Sequence, residues 1–368
     1  TTVVAFFALN EARSWDDFTR ALSQFVVPAQ NFVYADTAGH IGYYAPGRVP
    51  IRAGGDGTTP AAGWTGDDEW TGWIPFEELP HTYDPPEHVI VTANNRAAGG
   101  LYPHFITSDY PEPYRAQRIT DLLQAYPPGT LTPDAFRRIQ GDTVSLHARA
   151  LLPLLVAHAT QPPPGSRPAL DLLRAWDGNA TADSAAAAIF QAWFLALAPA
   201  LVGDELGPLV MESYGARFSA ITRLVSRVVQ TGDDPWCDDV RTPGRETCDV
   251  VVGRALGDAL TTLRQRLGST PSFWRWGTLH RAVFPHQGLD SVGVLRPLLS
   301  RSMPSAGDWS TVNASPVAWE HPYEQRAVPG YRQIIDLSAA NDSRFLDAVG
   351  QSGHFLSPHY DDYLTDWS

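Results

Sequence analysis

The sequence predicts an α+β fold, on three observations. Short β-like runs split by turn residues fill 31–91, helical patterns dominate 119–267, and short strands return after Trp274. A helical block between two β-rich stretches implies layered helix and sheet, with the late strands expected to return and pair with the early ones. No internal repeat of about 20–50 residues is present, which sets solenoids and propellers aside.

The elements follow in order. Val4, Phe7, Ala8 and Leu9, then Phe18, Ala21, Leu22 and Phe25, recur at helical spacing, and Ser14 is placed to cap the second of two lead-in helices. NFVYAD and IGYYAPG read as a hairpin whose turn is Asp36-Thr37-Ala38-Gly39, with Gly39 supplying the positive φ. RVPIR and TGWIPF continue the sheet, and Ile90-Val91-Thr92 reads as a buried strand. ITDLLQAY, TPDAFRRIQGDTVSLHARALLPLLVAHA, RPALDLLRAW, the Ala-rich run Ala185 to Val202, FSAITRLVSRVVQ and VGRALGDALTTLRQRL read as helices, several with Pro in the first turn or Asp and Thr caps. RWGTLHRAVF, STVNAS and YRQIIDLS read as returning strands. The predicted organisation is a helical lead-in and sheet-rich core part over 1–118, a mainly helical region over 119–270, and returning strands with the rest of the core over 271–368.

Composition narrows the chemistry. The 368 residues carry a net charge of −13 and are 43% hydrophobic, so the chain is an acidic, folded protein with ample core. Every basic residue is Arg, because the sequence contains no Lys. That excludes Schiff-base, pyridoxal-phosphate and Walker-type chemistry on this chain. Strong negative charge without a basic block argues against nucleic acid as a partner.

Several local features admit two readings. Cys237 and Cys248, in WCDDVRTPGRETC, are read as a local disulfide, which favours a periplasmic or secreted protein, with two free thiols as the alternative. Ala185 to Val202 approaches membrane-spanning length, but Gln191, Pro199 and its Ala content favour a buried core helix, so no membrane span is expected. His354 and His359 beside Asp361 and Asp362 have ligand-like spacing in a Pro-broken segment. Asn94-Asn95 follows the apolar run VIVTA, where a fixed amide could stabilise an oxyanion, although an Asx turn is the commoner use of such a pair. WTGDDEWTGW, from 64 to 73, could stack on sugar rings or cover the sheet, and covering is the favoured reading. A rival class of function rests on this cluster: a non-catalytic, aromatic-rich binding or scaffold domain, for glycans.

The order and spacing of QNFVYADTAGHIGYYAPGRVPIR, WTGDDEWTGWIPFEELP, IVTANNR, PEPYRAQRI, QGDTVSLHAR, the WCDD to ETC pair, GDWSTVNA, YRQIIDLS and GQSGHFLSPHYDD resemble the β-subunit of the penicillin acylase family of N-terminal-nucleophile hydrolases. The resemblance covers nearly the whole chain. It implies part of an αββα sandwich with a large helical insertion, from an amidohydrolase that acts through an acyl-enzyme on an N-terminal Ser whose own α-amine is the base. Substrates so implied are β-lactam amides and N-acyl-homoserine lactones, and no cofactor is implied for catalysis. By the motifs, Asn94 corresponds to the oxyanion Asn and Arg118 to the Arg that anchors it. Gln30 and Tyr110 fall at acyl-pocket positions. Asp109 matches a ligand of a structural calcium in several members, with the Gly57 to Pro60 turn as a carbonyl donor.

The resemblance also sets the expected partners. The nucleophilic Ser falls upstream of Thr1, so the chain is expected to be the C-terminal part of a β-subunit, completed by an α-subunit and the opening of the β-subunit from the same precursor, and inactive alone. Thr1 aligns with a helix interior and is set aside as a nucleophile.

Overall fold

The computed structural model describes residues 2–367, so Thr1 lies outside the described residues. The chain divides into two compact units, one formed by Thr1–Ala116 with Asp336–Asn341, the other by Gln117–Ile335 with Asp342–Ser368.

The first unit opens with α1 (Thr2–Glu11) and α2 (Trp15–Leu22). Ser14 caps α2 as expected, its hydroxyl accepting the Asp17 N–H at 3.2 Å. Next come β1 (Phe32–Ala35) and β2 (Ile41–Tyr44), an antiparallel hairpin. Its turn is held by Asp36, whose Oδ1 accepts the N–H groups of Ala38 and His40 at 2.9 and 3.0 Å, while Gly39 takes φ of +96°. β3 (Pro50–Arg52) pairs with β4 (Trp70–Trp73), and β5 (His81–Tyr83), unread in the sequence, joins β2 as the third strand of the first sheet. Phe18, Leu22, Tyr44, Ile74 and Leu79 form the buried core of this unit. Gly42 is required there, since a Cβ would stand 2.2 Å from the Trp15 indole.

Ile90 to Thr92 is not a strand: it lies outside every described sheet. Apolar β-formers mark a segment that suits a strand, but a strand exists only where another backbone meets its N–H and C=O groups.

The boundary between units falls within α3 (Tyr114–Gln124). α4 (Pro133–Gln140) is capped by Thr132 with Pro133 at its first position, and α5 (Leu146–His158) by Ser145. The single long helix read across 132–159 is therefore two, parted at Gly141–Val144, where Val144 bridges Asn179 and Ser145 opens the next helix. α6 (Arg167–Arg174), α7 (Ala185–Gly215), α8 (Phe218–Thr231) and α9 (Cys248–Leu267) follow. Together with α5 they enclose the main core, including Phe190, Trp193, Phe194, Leu197 and Leu256. Trp193 is buried with its indole N–H donating to the Val252 carbonyl at 3.0 Å, which ties α7 to α9. α7 is the one described helix long and apolar enough to cross a membrane, and 72% of its apolar window is buried inside the protein. Gly207, at φ +66° and ψ 171°, breaks its helical path before Pro208.

Cys237 and Cys248 form a disulfide with Cα atoms 4.9 Å apart, closing the loop between α8 and α9.

After α10 (Trp276–Leu279) come β6 (Arg281–Phe284), α11 (Arg296–Leu299), β7 (Arg301–Pro304), β8 (Val317–Ala318) and β9 (His321–Gln325), the four strands making one sheet in the order β7-β6-β9-β8. β10 (Tyr331–Ile334) and β11 (Arg344–Asp347) make a separate antiparallel pair, and α12 (Leu364–Trp367) ends the described chain. The late strands thus pair with one another and not with β1–β5, contrary to the sequence expectation, because each has a closer partner in its own stretch.

STVNAS is also not a strand. It is a turn built on buried Asp308, whose carboxylate accepts the Ser310 N–H at 2.7 Å, the Ser310 hydroxyl at 2.8 Å and the Gln191 side-chain amide at 2.8 Å. Gln191, the polar residue in the apolar run Ala185 to Val202 that opens α7, satisfies this carboxylate. Burial raises the Asp308 pKa, and these hydrogen bonds oppose the shift.

Candidate functional site

In the first unit an irregular segment from Pro85 to Pro113 carries three of the site residues singled out by sequence, Asn94, Asp109 and Tyr110. Asn94 sits in it at φ +63°, the left-handed region that Asn tolerates better than most residues. Its side-chain Oδ1 accepts a hydrogen bond from Arg115 Nη2 at 2.8 Å. A guanidinium only donates, so it fixes which end of the amide is oxygen and turns both Nδ2 hydrogens away from itself. Among the described residues Nδ2 has no partner. An exposed amide with its acceptor occupied and its donor open has the polarity an oxyanion requires.

The adjacent Asn95 has the structural role that Asx geometry suggests: its Oδ1 accepts the Ala93 N–H at 3.0 Å and its Nδ2 donates to the Arg96 carbonyl at 3.2 Å. The pair divides the two readings between its members.

Arg115 was missed in the sequence. PEPYRAQRI contains two arginines three residues apart on α3, and spacing alone does not say which faces Asn94. Arg118 instead makes a bidentate pair with Asp142, at 2.9 and 2.7 Å, which strengthens its hold on its proton. That pair secures the break between α4 and α5, since Asp142 Oδ1 also accepts the Val144 N–H.

A cleft of about 490 Å3 lies in the same unit, its wall beginning at Arg96, two residues after Asn94, and including Tyr102, Phe105, Ile106 and Tyr110. Glu78 braces this wall: its carboxylate meets His104 Nε2 at 2.6 Å and its carbonyl accepts the Tyr102 hydroxyl at 2.9 Å. Tyr110 is near Tyr43, whose pKa is pushed up to about 12 by burial first and by Tyr110 second. The Tyr43 hydroxyl donates to Asn31 Oδ1 at 2.5 Å, next to exposed Gln30. Tyr110 therefore lines the cleft, and Gln30 is outside the lining but one residue from a side chain tied to Tyr43.

Asp109 is exposed, and its N–H donates to the Thr107 hydroxyl at 3.0 Å. A calcium takes about six to eight oxygens. Among the described residues no three His, Cys, Asp or Glu side chains converge, so an ion at Asp109 would draw most of its oxygens from groups other than carboxylates. His359 and Asp362 form a local pair at 2.8 Å, while Asp361 bonds Arg301, so the ligand-like spacing near 354–362 does not gather its side chains on one point. The tryptophans of 64–73 do not cover the sheet: Trp64, Trp70 and Trp73 are exposed, the last two meeting edge to face at 5.4 Å.

Comparison with known proteins gives a consistent picture. The family model for penicillin amidase matches residues 1–368. The acyl-homoserine lactone acylase QuiP of Pseudomonas aeruginosa is 30% identical over 398 residues, covering 100% of this chain and 46% of that protein. The penicillin acylase 2 proenzyme of Pseudomonas sp. strain SE83 is 34% identical over 346 residues, covering 92% of this chain and 43% of its own length. The chain thus spans about half the length of the curated relatives it matches. In fold it resembles the thermostable penicillin G acylase from Alcaligenes faecalis, with a TM-score of 0.60 at 23% identity over 99% of this chain and 67% of that one.

Proposed function

The chain belongs to the penicillin amidase family, and we propose that it is the part of an amide-hydrolysing acylase that supplies the side-chain oxyanion donor and one wall of the acyl pocket. The nucleophile in this reading is an N-terminal Ser on polypeptide outside these 368 residues, belonging with an α-subunit to the same precursor. The Ser hydroxyl attacks the amide carbonyl and its proton passes through the α-amine to the leaving nitrogen. Water then releases the carboxylic acid from the acyl-enzyme. Substrates are amides of the β-lactam or N-acyl-homoserine-lactone type, the two kinds named in the relatives.

One observation carries the reading: Arg115 holds the Asn94 amide by its oxygen and leaves its N–H groups open. As charge develops on the carbonyl oxygen in the tetrahedral intermediate, a donor already oriented stabilises it without reorganising. Tyr110, with Phe105 and Ile106 of the same cleft, takes the acyl chain in this scheme, with Gln30 at its edge, and Asp109 gives one carboxylate to a structural calcium. The disulfide supports a periplasmic or secreted location, where such bonds persist.

Asn94→Ala in the assembled enzyme tests the scheme: kcat should fall by about 10²–10³ with KM little changed, the pattern of a donor used only in the transition state. Unchanged turnover would remove Asn94 from the mechanism.

A further inference from the structure

The helical unit contains a second cleft, of about 350 Å3, between α7, α9 and the turn joining β8 to β9. That volume is at the lower end of the range for small-molecule sites. Its chemistry is one-sided. Asp258, on α9, lines it and makes no ion pair or hydrogen bond among the described residues, whereas Asp239 and Asp249 in the same unit are both paired. Pro199, on α7, has no N–H, so the carbonyl of Leu195, which also lines the cleft, lacks its ordinary helical donor.

The remaining wall is aromatic. Trp319 lies flat against the end of α7 because Gly215 has no side chain, a Cβ there falling 2.1 Å from the indole. Tyr323 continues this wall, its ring covered by the Arg266 guanidinium 5.1 Å from its centre, so the indole of Trp319 is the aromatic surface left to a guest. A carboxylate without a partner, a carbonyl that has lost its i+4 N–H and the indole of Trp319 all favour the same class of guest.

We propose that this cleft binds a small organic ammonium ion. Its N–H groups meet Asp258 and the Leu195 carbonyl, and its apolar body lies against Ala196 and Trp319. The site is independent of the acylase reading, since it lies in the helical unit and uses none of the residues assigned to amide hydrolysis.

The test uses the full chain and three probes of one shape and different charge: benzylammonium, benzyl alcohol and phenylacetate, titrated against tryptophan fluorescence and by calorimetry. Benzylammonium should bind saturably and about two- to fivefold more tightly than benzyl alcohol, the ratio that one exposed charge pair supplies, and by a larger margin over phenylacetate, whose charge Asp258 repels. Asp258→Asn, an exposed and isosteric change, should remove that preference and leave benzyl alcohol binding as it was. Ala196→Trp, which fills the cleft, should abolish binding of all three. Equal binding of phenylacetate and benzylammonium would overturn the proposal. So would an unaltered preference in Asp258→Asn, or no saturable benzylammonium binding.

Discussion

The two units of the chain are stabilised differently. The helical unit encloses one continuous core in which Phe190, Trp193, Phe194 and Leu197 of α7 are fully buried, and even its polar intrusions, Gln191 and Asp308, satisfy each other. The first unit buries six large side chains, Phe25 with the five of its core cluster, and leaves Val3, Phe6 and Phe7 of its opening helix more than half exposed. Asn94 and the 490 Å3 cleft belong to this unit with the smaller core, on backbone that is neither helix nor strand. Rigid cores and reactive side chains make different demands: packing fixes a helix, whereas an oxyanion donor must keep a side-chain N–H open at a surface that a substrate can reach.

Four experiments test this contrast. The largest effect is expected in the helical core: Leu197→Ala, at a position with no solvent exposure, should cost about 3–5 kcal/mol in chemical denaturation, while Ile74→Ala in the smaller core should cost about 2–3. Equal costs would mean that the two cores are equally well packed.

Acid is the second. Burial holds the His147 pKa down at about 3 and the His280 pKa down at about 4, against an ordinary value of 6.5. Between those values the unfolded chain binds protons that the folded one refuses. Stability should therefore rise with pH through this window and fall on acidification below 6.5, by up to about 1.4 kcal/mol per pH unit for each ring. Urea midpoints followed across the window, with His147→Phe as control, measure it; a flat profile would contradict neutral burial of both rings.

Removing the disulfide as Cys237→Ser with Cys248→Ser should cost about 2–3 kcal/mol, the chain-entropy value for a loop this short. Loss of the Ser14 cap should be smallest: Ser14→Ala should lower stability by about 1 kcal/mol, confined to the first unit, as amide exchange in α2 would report.

What was legible in the sequence was what short stretches decide. Ser14, the Asp36–Gly39 turn, the Cys pair and the Ala-rich helix each carry their reason within about a dozen residues, and the structure has them all. What failed needed a distant partner. STVNAS has the β-formers of a strand, yet Asp308 and a glutamine over a hundred positions away bend it into a turn. Ile90 to Thr92 has a strand's composition but pairs with no described strand, and β7, β9 and β11 gained partners that their own residues do not announce. The site divides in the same way. Asn94 was marked by its place after an apolar run, while Arg115 and Arg118 differ only in which carbonyl or carboxylate the fold brings to each.

The loop between α8 and α9 has a further consequence. Arg241 and Arg245 are exposed within the ring closed by Cys237 and Cys248, so a trypsin-like protease meets two cleavable bonds there. A cut at either would not release a fragment, because the two ends remain joined through sulfur. The molecule could carry such a nick through its working life unseen until reduced, so that in this loop covalent continuity no longer depends on an unbroken backbone.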